Sequence, residues 1–525
     1  MIYVIRVRNI SVSITSNNLI GKICNKLKIK KSDIINYNIV KRSIDARDKK
    51  NILYVYEIDL EVLNEERILN KCKSNAVFIT PNLEYEYKIT GDIKLNSQPI
   101  VVGSGPAGLF CAYFLAEAGY KPIILERGDR VEERVKRVDE FFDTNKLDIN
   151  SNVQFGEGGA GTFSDGKLNT LVKDKFNRGR KIFEIFVECG APKEIMYDAH
   201  PHVGTDVLRK VIINLRNKII SMGGEFRFRS LVTDLIINNN KICGVVINNK
   251  DKIESNVVVL AIGHSARDTF YMLKKRNIEM KAKAFAVGVR IEHPREMIDK
   301  SQYGEFAKIL GPASYKLTYK TKSGRGVYSF CMCPGGFVVN ASSEEGELSI
   351  NGMSNYKRNE INSNSAIIVT VNSQDFGNDP MAGIEFQREL EKRAYNIGKG
   401  LIPVQLFKDF CNKKISTKFL DIIPNTKGGY NFADLNKIFP EYISSSLKEG
   451  INYFGNKIKG FNRDDAVLLG VESRTSSPVI ILRDELGEAI EGLYPCGEGA
   501  GYAGGITTAA IDGVKTFENI IKKYK

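Results

Sequence analysis

The clearest alternation of apolar and polar side chains lies near the N-terminus, over residues 52–62. One face of this segment carries Tyr54, Tyr56, Ile58, Leu60 and Val62, and the other carries Glu57, Asp59 and Glu61. A period of two residues predicts a half-buried strand. Apolar residues recur at helical spacing over 19–27, and a shorter helix over 65–72 precedes a strand over 76–80. The order β-α-β-β-α-β predicts a ferredoxin-like α+β domain over residues 1–90.

A different pattern begins near residue 97, after a connecting segment. A βαβ pattern covers 99–126, an apolar strand follows at 257–263, and a glycine-rich segment closes the chain at 492–513. Between 285 and 480 the chain is rich in predicted strands, with a helical section over about 380–465. The fold class is therefore α/β. We expect a Rossmann-like domain over 97–284 and 485–525, interrupted by a mixed sheet-and-helix substrate domain over 285–484.

The composition is that of an ordinary globular protein, with 42% apolar and 26% charged residues among 525. Such a length predicts several domains. No apolar run reaches the roughly 18 residues that cross a bilayer, so we expect no membrane span. Arginines interrupt the first apolar segment, which argues against a signal peptide and predicts a cytoplasmic protein. The nine cysteines are then expected to be reduced thiols.

The formal net charge of +14 raises the question of an anionic partner. The basic residues are spread along the chain, without a Lys/Arg block interleaved with aromatics. The most basic short segment is KRSIDARDKK, at 41–50, between the middle strands of the first domain. A solvated hairpin tip explains it more simply than a nucleic-acid site, and RNA stays an alternative partner.

The most informative segment is IVVGSGPAGLFCAYFLAEAGYKPIILERG. Gly103, Gly105 and Gly108 form GxGxxG between a strand and an alanine-rich helix, and Glu126 ends the next strand 18 residues later. This arrangement predicts that a pyrophosphate lies at the helix N-terminus and that the acid accepts hydrogen bonds from a ribose. The same dinucleotide site is predicted to include Pro106, Ala107 and Arg127.

A second segment, LYPCGEGAGYAGGITTAAIDG at 493–513, resembles the closing motif of flavoproteins with the two-dinucleotide-binding fold. The resemblance implies non-covalent FAD, with an acid near the ribityl phosphate and a helix N-terminus at the flavin pyrimidine edge. Here the acid is Glu498 instead of the usual Asp. The positions implied are Gly497, Glu498, Gly504, Gly505, Ile506 and Thr507. VVVLAIGHSA, with Gly263, resembles the signature beside the adenosine in the same class.

Two further motifs indicate the family. GEGGAGTFSDGKLNT (156–170) is similar to an element of a bacterial flavoprotein family that includes bile-acid-dehydroxylation reductases, and implies contacts from Gly158, Gly159 and Lys167. AHPHVGTD, NGMS and GVESRTSSPV extend the likeness, so the whole chain resembles a bacterial family of uncharacterised FAD-dependent dehydrogenases. RGVYSFCMCPGG resembles a strand of geranylgeranyl-reductase-like flavoproteins that implies a wall of the substrate cavity.

The same strand places Cys331 and Cys333 one residue apart, so a regular strand would point both thiols to one side. No further cysteine or histidine stands at ligand spacing, so no metal site is predicted. A disulfide between them on an extended strand is near the geometric limit. These observations favour a structural role for the thiols, and Cys333 is kept as a catalytic candidate.

Three other side chains are catalytic candidates. His200 and His202 flank a proline and supply an acid or contact a substrate anion, or else they are structural. Arg474 anchors an acidic substrate or the flavin, or else it forms a buried ion pair with Glu472.

Together these features predict an FAD-dependent oxidoreductase that transfers hydride through flavin N5 to or from a small organic substrate. Because one dinucleotide fingerprint is visible, NADH or NADPH would bind transiently as reductant, or an electron-donor protein would serve. Two alternatives stay open, a flavin-dependent RNA-modifying enzyme and a non-catalytic flavin-bound redox sensor or scaffold.

Overall fold

A computed structural model describes residues 4–72, 75–170 and 172–525. Its strands are β1 Ile5–Ser13, β2 Ile34–Asp45, β3 Leu53–Val62, β4 Val77–Ile79, β5 Ile100–Val102, β6 Ile123–Leu125, β7 Glu225–Arg227, β8 Val232–Asn238, β9 Lys241–Ile247, β10 Asp251–Glu254, β11 Val258–Leu260, β12 Met280–Ala282, β13 Phe285–Pro294, β14 Thr318–Lys320, β15 Gly326–Cys333, β16 Phe337–Asn340, β17 Ile350–Met353, β18 Asn362–Val371, β19 Ile402–Leu406, β20 Thr426–Lys427, β21 Tyr430–Phe432, β22 Val467–Glu472, β23 Val479–Ile481 and β24 Leu493–Pro495.

Its helices are α1 Leu19–Leu27, α2 Glu65–Lys71, α3 Pro106–Glu117, α4 Val131–Thr144, α5 Arg178–Glu188, α6 Thr205–Ser221, α7 Arg267–Lys275, α8 Arg295–Tyr303, α9 Ala307–Leu310, α10 Ser373–Phe376, α11 Ala382–Gly398, α12 Phe407–Cys411, α13 Glu441–Gly455 and α14 Ile506–Lys523. Among the described residues, no helix combines the length and apolar character that crossing a membrane requires.

The N-terminal sheet has the order β2-β3-β1-β4, and β1 pairs antiparallel with both β3 and β4. Ile58 and Leu60 of β3 are fully buried and share a core with Ile23 and Leu27 of α1. The apolar face of β3 thus packs against the apolar face of α1, as the two periodicities in the sequence predict. The ferredoxin-like topology is confirmed.

A parallel five-stranded sheet of order β24-β11-β5-β6-β7 forms the Rossmann-like part. Its central strands are buried on both faces, as parallel sheets require. Val101 of β5 faces the core of α3 and α14, whereas Ile100 and Val102 face the antiparallel meander β8-β9-β10. The two helices approach closely because Gly513 has no side chain, and a Cβ there would lie 2.2 Å from the carbonyl oxygen of Ala107.

Between β12 and β23 the chain forms a seven-stranded sheet of order β14-β15-β18-β13-β22-β19-β21. Helices α11 and α13 pack on it around a separate apolar core. We call this part the cap. Tyr85 and Tyr87, from the segment after β4, pack edge-on against Phe114 and Phe517 of the Rossmann-like part. The domain bounds given above stay a prediction.

The N-terminal domain is tied to the rest of the chain through β2. The guanidinium of Arg42 donates to both carboxylate oxygens of Asp198 at 2.8 and 3.0 Å. The main chain of Arg42 also pairs with Tyr197 and Ala199. Lys49 donates to the carbonyl of Ser301 in the cap. Part of the basic 41–50 turn is therefore engaged within the protein.

Candidate functional site

One continuous cavity runs from the carboxyl ends of β5 and β6 to the inner wall of the cap. Its Rossmann-like end is lined by Val102–Ala107, Leu125–Arg127, Gln154–Gly156, Gly159–Gly161, Ser230–Val232, Ala261–Ala266 and Thr269. The C-terminal residues Glu498, Gly504–Ile506 and Ala509 also lie at the Rossmann-like end, and the cap end is lined by Ser164–Lys167, Phe330, Cys331, Asn351, Glu472, Arg474 and Thr475. Ligands of open parallel sheets bind at this carboxyl edge.

The glycine-rich turn after β5 leaves room for a phosphate group. Gly103 has φ +98°. A Cβ at Gly108 would lie 1.9 Å from the carbonyl oxygen of Gly103, so the turn after β5 and α3 pack without a side chain between them. A Cβ at Gly105 would meet only the Cα of Gly159, at 3.9 Å. The N-terminus of α3 therefore faces an open cradle of backbone N–H groups, which suits a pyrophosphate.

Glu126 sits beside this cradle with both carboxylate oxygens fixed. One oxygen accepts hydrogen bonds from the backbone N–H and the hydroxyl of Ser104, at 3.0 and 2.6 Å. The other accepts from the N–H groups of Gly128 and Gly156, at 2.9 and 3.1 Å. Because the Ser104 hydroxyl can rotate, this acid can exchange that partner for a ribose hydroxyl without losing its position.

A buried arginine holds the loop opposite the cradle. Arg134 of α4 is fully buried, and its guanidinium donates to the carbonyls of Asn152, Val153, Glu157 and Gly159. Burial lowers its pKa to about 9. The side chain thus fixes the loop that carries Gly159 to within contact of Gly105.

The C-terminal segment completes the cavity from the other side. A Cβ at Gly263, Gly504 or Gly505 would meet no atom within 4 Å, so these backbones face open space. Gly505 precedes α14, whose N-terminus therefore points at the cavity. Burial raises the pKa of Glu498 to about 7, with Lys283 acting in the opposite direction. This set of glycines, helix N-termini and two acids fits FAD.

The far end of the cavity is charged. Lys167 lies 3.2 Å from the carboxylate of Asp165 and donates to the carbonyl of Met332. Burial lowers the pKa of Lys167, but Asp165 together with Cys333 and Cys331 outweighs burial, and the pKa is raised. Asp165 is held in turn by Arg358 and by the hydroxyl of Ser354. A cation is thereby fixed against the strand of the two cysteines.

Glu472 and Arg474 do not pair with each other, because each forms a buried ion pair with another partner. The carboxylate of Glu472 accepts from Arg290 of β13, at 2.8 and 3.3 Å. Arg290 also donates to Asn364 and to Asn351. Burial raises the pKa of Glu472 to about 7 despite Arg290. Pairing across β13 and β22 could not be read from a local motif.

Arg474 lines the cavity but is not free to anchor a substrate. Two of its nitrogens donate to the two oxygens of Glu391, at 3.0 and 2.7 Å. The third donates to the hydroxyls of Ser265 and Ser343. Glu391 also accepts from Arg267, at 2.8 and 3.0 Å, and its pKa is held well below the usual range. The anchoring role is therefore not supported.

The two candidate histidines do not line the cavity. His202 is stacked on Tyr356 and bonds to its carbonyl oxygen at 3.0 Å, and burial lowers its pKa. His200 lies at the surface, with Nδ1 3.1 Å from Asn169. The structural alternative fits both. The sequence reasoning missed His264, which does line the cavity and whose pKa burial lowers to about 3.

The thiols are also arranged differently from the prediction. Strand β15 is irregular between Phe330 and Cys333, and Cys331 has φ +42°. Cys331 lines the cavity, whereas Cys333 is fully buried and does not. The candidate Cys333 is thus replaced by Cys331 as the thiol that a ligand can reach. A bulge of this kind has no sequence signal apart from the nearby Pro-Gly-Gly.

Most of the predicted cofactor positions lie on the cavity wall. Those that line it are Gly103, Gly105, Pro106, Ala107, Glu126, Arg127, Gly159, Lys167, Gly263, Glu498, Gly504, Gly505 and Ile506. Those outside the lining are Gly108, Gly158, Gly497 and Thr507. These four support the wall, as Gly158 does through its N–H bond to the carbonyl of Ser104. Their roles toward FAD stay predictions.

Three family models match parts of the chain. Residues 284–475 match the C-terminal domain-like family of FAD-dependent proteins, and residues 101–148 match an NAD(P)-binding Rossmann-like domain. Residues 4–61 match a domain of unknown function. The matched ranges coincide with most of the cap, the start of the parallel sheet and much of the N-terminal domain.

Similar proteins extend over all or part of the chain. An uncharacterised protein of Clostridium beijerinckii is 47% identical over 99% of this chain and 99% of its own length. A thiamine thiazole synthase of Pyrococcus horikoshii is 25% identical over 33% of this chain and 60% of its own. A solved geranylgeranyl bacteriochlorophyll reductase-like protein of Thermoplasma acidophilum is 11% identical, with a TM-score of 0.34, over 81% of this chain and 78% of its own.

The family match over the cap and the lining of the cavity agree in indicating an FAD-dependent protein. By its identity over nearly the full length, the chain belongs to the same family as the uncharacterised Clostridium beijerinckii protein.

Proposed function

We propose that the protein transfers hydride between FAD and a small organic substrate held at the cap end of the cavity. The observation that supports this is the continuity of the cavity, from the Gly105 cradle to polar side chains of the cap. When bound, FAD supplies two-electron chemistry at its N5. The cap wall then defines the space in which a substrate would lie.

The cap wall offers one group suited to moving a proton. The carboxyl of Glu472 lines the cavity, and its two hydrogen bonds from Arg290 fix its orientation. With a pKa of about 7, it is present in both protonation states at neutral pH, which suits general acid–base chemistry. We assign Glu472 the role of holding the proton that accompanies hydride transfer.

Other residues of this wall would orient the substrate and enclose it. Lys167 presents a cation at the same end, which would attract an anionic substrate group or the electron-rich edge of the flavin. Phe330 supplies an apolar surface on the same wall. Arg474, locked to Glu391, keeps the wall rigid.

The decisive experiment is anaerobic reduction of the FAD-loaded protein with NADH and with NADPH, followed by reoxidation with a panel of small organic acceptors. The proposal expects rapid bleaching of the flavin with one nucleotide and rapid reoxidation by at least one acceptor class. If neither nucleotide reduces the flavin, an electron-donor protein becomes the expected reductant. If chemically reduced flavin is reoxidised by no acceptor faster than by oxygen, the proposal is wrong.

The RNA-modifying alternative is not favoured by the structure of the basic turn. Arg42 is paired with Asp198, Arg47 with Asp45, and Lys49 bonds to Ser301. The turn therefore presents less free positive charge than its sequence suggests. Nucleic-acid affinity depends on such free cations.

A further inference from the structure

The bend in strand β15 brings two thiols into an arrangement that a regular strand would not give. Phe330 faces Ala366 of β18 and Cys333 faces Asn364, so Cys331 and Met332 together oppose one residue. Two residues opposite one is a β-bulge, a device that redirects a side chain and that recurs beside active sites. A positive φ at a residue other than glycine is uncommon, and the +42° of Cys331 marks the point of redirection.

A disulfide between Cys331 and Cys333 lies within the geometric range for such bonds. On an extended strand, Cα atoms two residues apart are separated by about 6.6 Å. That separation lies near the upper end of the range for disulfides, about 6.8 Å. The Sγ of Cys333 lies 3.4 Å from the carbonyl oxygen of Cys331, so the buried thiol is held next to the main chain of the cavity-facing cysteine.

Two fixed cations flank the thiols. Arg290 donates to the carbonyl of Cys331 at 3.1 Å, and Lys167 donates to the carbonyl of Met332. The contact with Cys333 and these two cations lower the pKa of Cys331, while the same contact raises that of Cys333. A cavity-facing thiol of lowered pKa beside a buried thiol of raised pKa is the pattern of an attacking and a resolving cysteine.

The other buried thiols differ. Cys111, Cys189 and Cys496 are enclosed in the apolar core of the Rossmann-like part. Burial raises the pKa of Cys189 to about 11, and it also raises the pKa of Cys111 and Cys496. Such thiols are inert.

We propose that Cys331 and Cys333 form a redox-active dithiol that reduces low-molecular-weight disulfides at the cap end of the cavity. The sulfur of Cys331 attacks an external disulfide, forming a mixed disulfide and releasing one thiolate. Cys333 then loses its proton and attacks Cys331, forming the Cys331–Cys333 disulfide and releasing the second thiolate. The protein pair loses two electrons and the external disulfide gains them. Regeneration takes two electrons and two protons, drawn from reduced FAD, so this proposal rests on the proposed function.

The test uses the purified FAD-loaded protein in glutathione redox buffers, followed by acid quenching, alkylation and trypsin digestion. Cleavage after Arg325 and Lys357 gives one peptide that contains Cys331 and Cys333 and no other cysteine. We expect this peptide to lose two hydrogen atoms reversibly as the buffer becomes oxidising. Cys333→Ser should trap one glutathione on Cys331, and Cys331→Ser should trap none. Cys243→Ser, at a half-buried thiol on β9, is the control and should behave as wild type.

The outcomes separate the two proposals. A peptide that keeps both thiols alkylatable in oxidising buffer, in protein that holds stoichiometric FAD, overturns the dithiol and leaves the proposed function standing. Glutathione trapped equally on both single variants would also overturn it, because the attacking and resolving roles would not exist. Reversible oxidation in protein whose flavin is neither reduced by a nucleotide nor reoxidised by an acceptor would support the dithiol and contradict the proposed function.

Discussion

The two ends of the cavity are built in different ways. The Rossmann-like end is made largely of backbone, with Gly105, Gly263 and Gly505 leaving open space for a ligand. The cap end is made of charged side chains, among them Lys167 and Glu472. Lys167 donates to the carbonyl of Met332 and Glu472 accepts from Arg290, and both of these partners are far away in the chain. A side chain added at the backbone end would fill the space of the ligand. A charged side chain at the cap end loses its position when its hydrogen-bond partner is removed. Substitutions at the two ends should therefore fail for different reasons.

The largest effect is expected at the backbone end. Gly105→Val places a branched side chain in the pyrophosphate cradle, and we expect FAD affinity to fall by on the order of a thousandfold, or about 4.1 kcal/mol. Flavin absorbance of the purified variant and titration with FAD measure this loss. Gly326→Val, at a strand glycine outside the cavity lining, is the matched control. Stoichiometric flavin in the Gly105 variant would refute the assignment of the cradle.

The next largest effect is expected on stability, when the buried ion pairs beneath the cap end of the cavity are broken. Glu391→Gln leaves the buried guanidiniums of Arg267 and Arg474 without their shared carboxylate, which should reduce the free energy of unfolding by about 3 kcal/mol. Glu389→Gln, on the same helix and paired with Arg393 at the surface, should change it by less than about 0.5 kcal/mol. Urea unfolding of both variants makes the comparison. Equal losses of unfolding free energy in the two variants would mean that the pairing of Glu391 with Arg267 and Arg474 does not stabilise the cap.

A smaller effect is expected on the reaction itself. Glu472→Gln keeps the shape but removes the proton, so turnover should fall by about a hundredfold, or about 2.7 kcal/mol of activation free energy. FAD affinity should stay within a few-fold of wild type. The inflection near pH 7 in the rate profile should disappear. A variant that retains the inflection would show that another group carries the proton.

The same substitution has a consequence for stability. The pKa of Glu472 rises from 4.5 in the unfolded chain to about 7 in the fold, so the folded state binds the proton more tightly. This contribution is complete below pH 4.5 and is lost as the pH rises through 7. The wild type should therefore lose stability over this window relative to Glu472→Gln. Unfolding at several pH values checks the sign.

The smallest effect is expected for the thiols in the reductive half-reaction. Replacing both Cys331 and Cys333 by Ser should leave flavin reduction by NADH or NADPH within a few-fold of wild type, because hydride transfer to the flavin needs no thiol. Stopped-flow absorbance measures the rate. A loss of several orders of magnitude in a variant that still binds FAD would place the thiols in the hydride step itself.

The same contrast explains what the sequence could predict. Local periodicity and glycine spacing predicted the ferredoxin-like order, the parallel strands and most of the cavity lining near Gly105, because these depend on neighbours in sequence. The partners of Glu472 and Arg474 come from β13 and α11, and no local pattern encodes them. The bulge at Cys331 likewise depends on pairing with β18. The local motif around His200 and His202 also does not encode their surroundings, because the partner of His202 is Tyr356, more than 150 residues away.

The last strand and helix of the chain have a consequence for biosynthesis. Strand β24 pairs with β11, and α14, which packs against α3, brings Gly505 and Ile506 to the cavity. These elements leave the ribosome after the cap has been made, although the GxGxxG turn emerged hundreds of residues earlier. A nascent or truncated chain thus lacks one wall of its cofactor site. Retention of FAD therefore reports that translation has passed α14, and chains that stop before it should stay colourless and open to proteolysis.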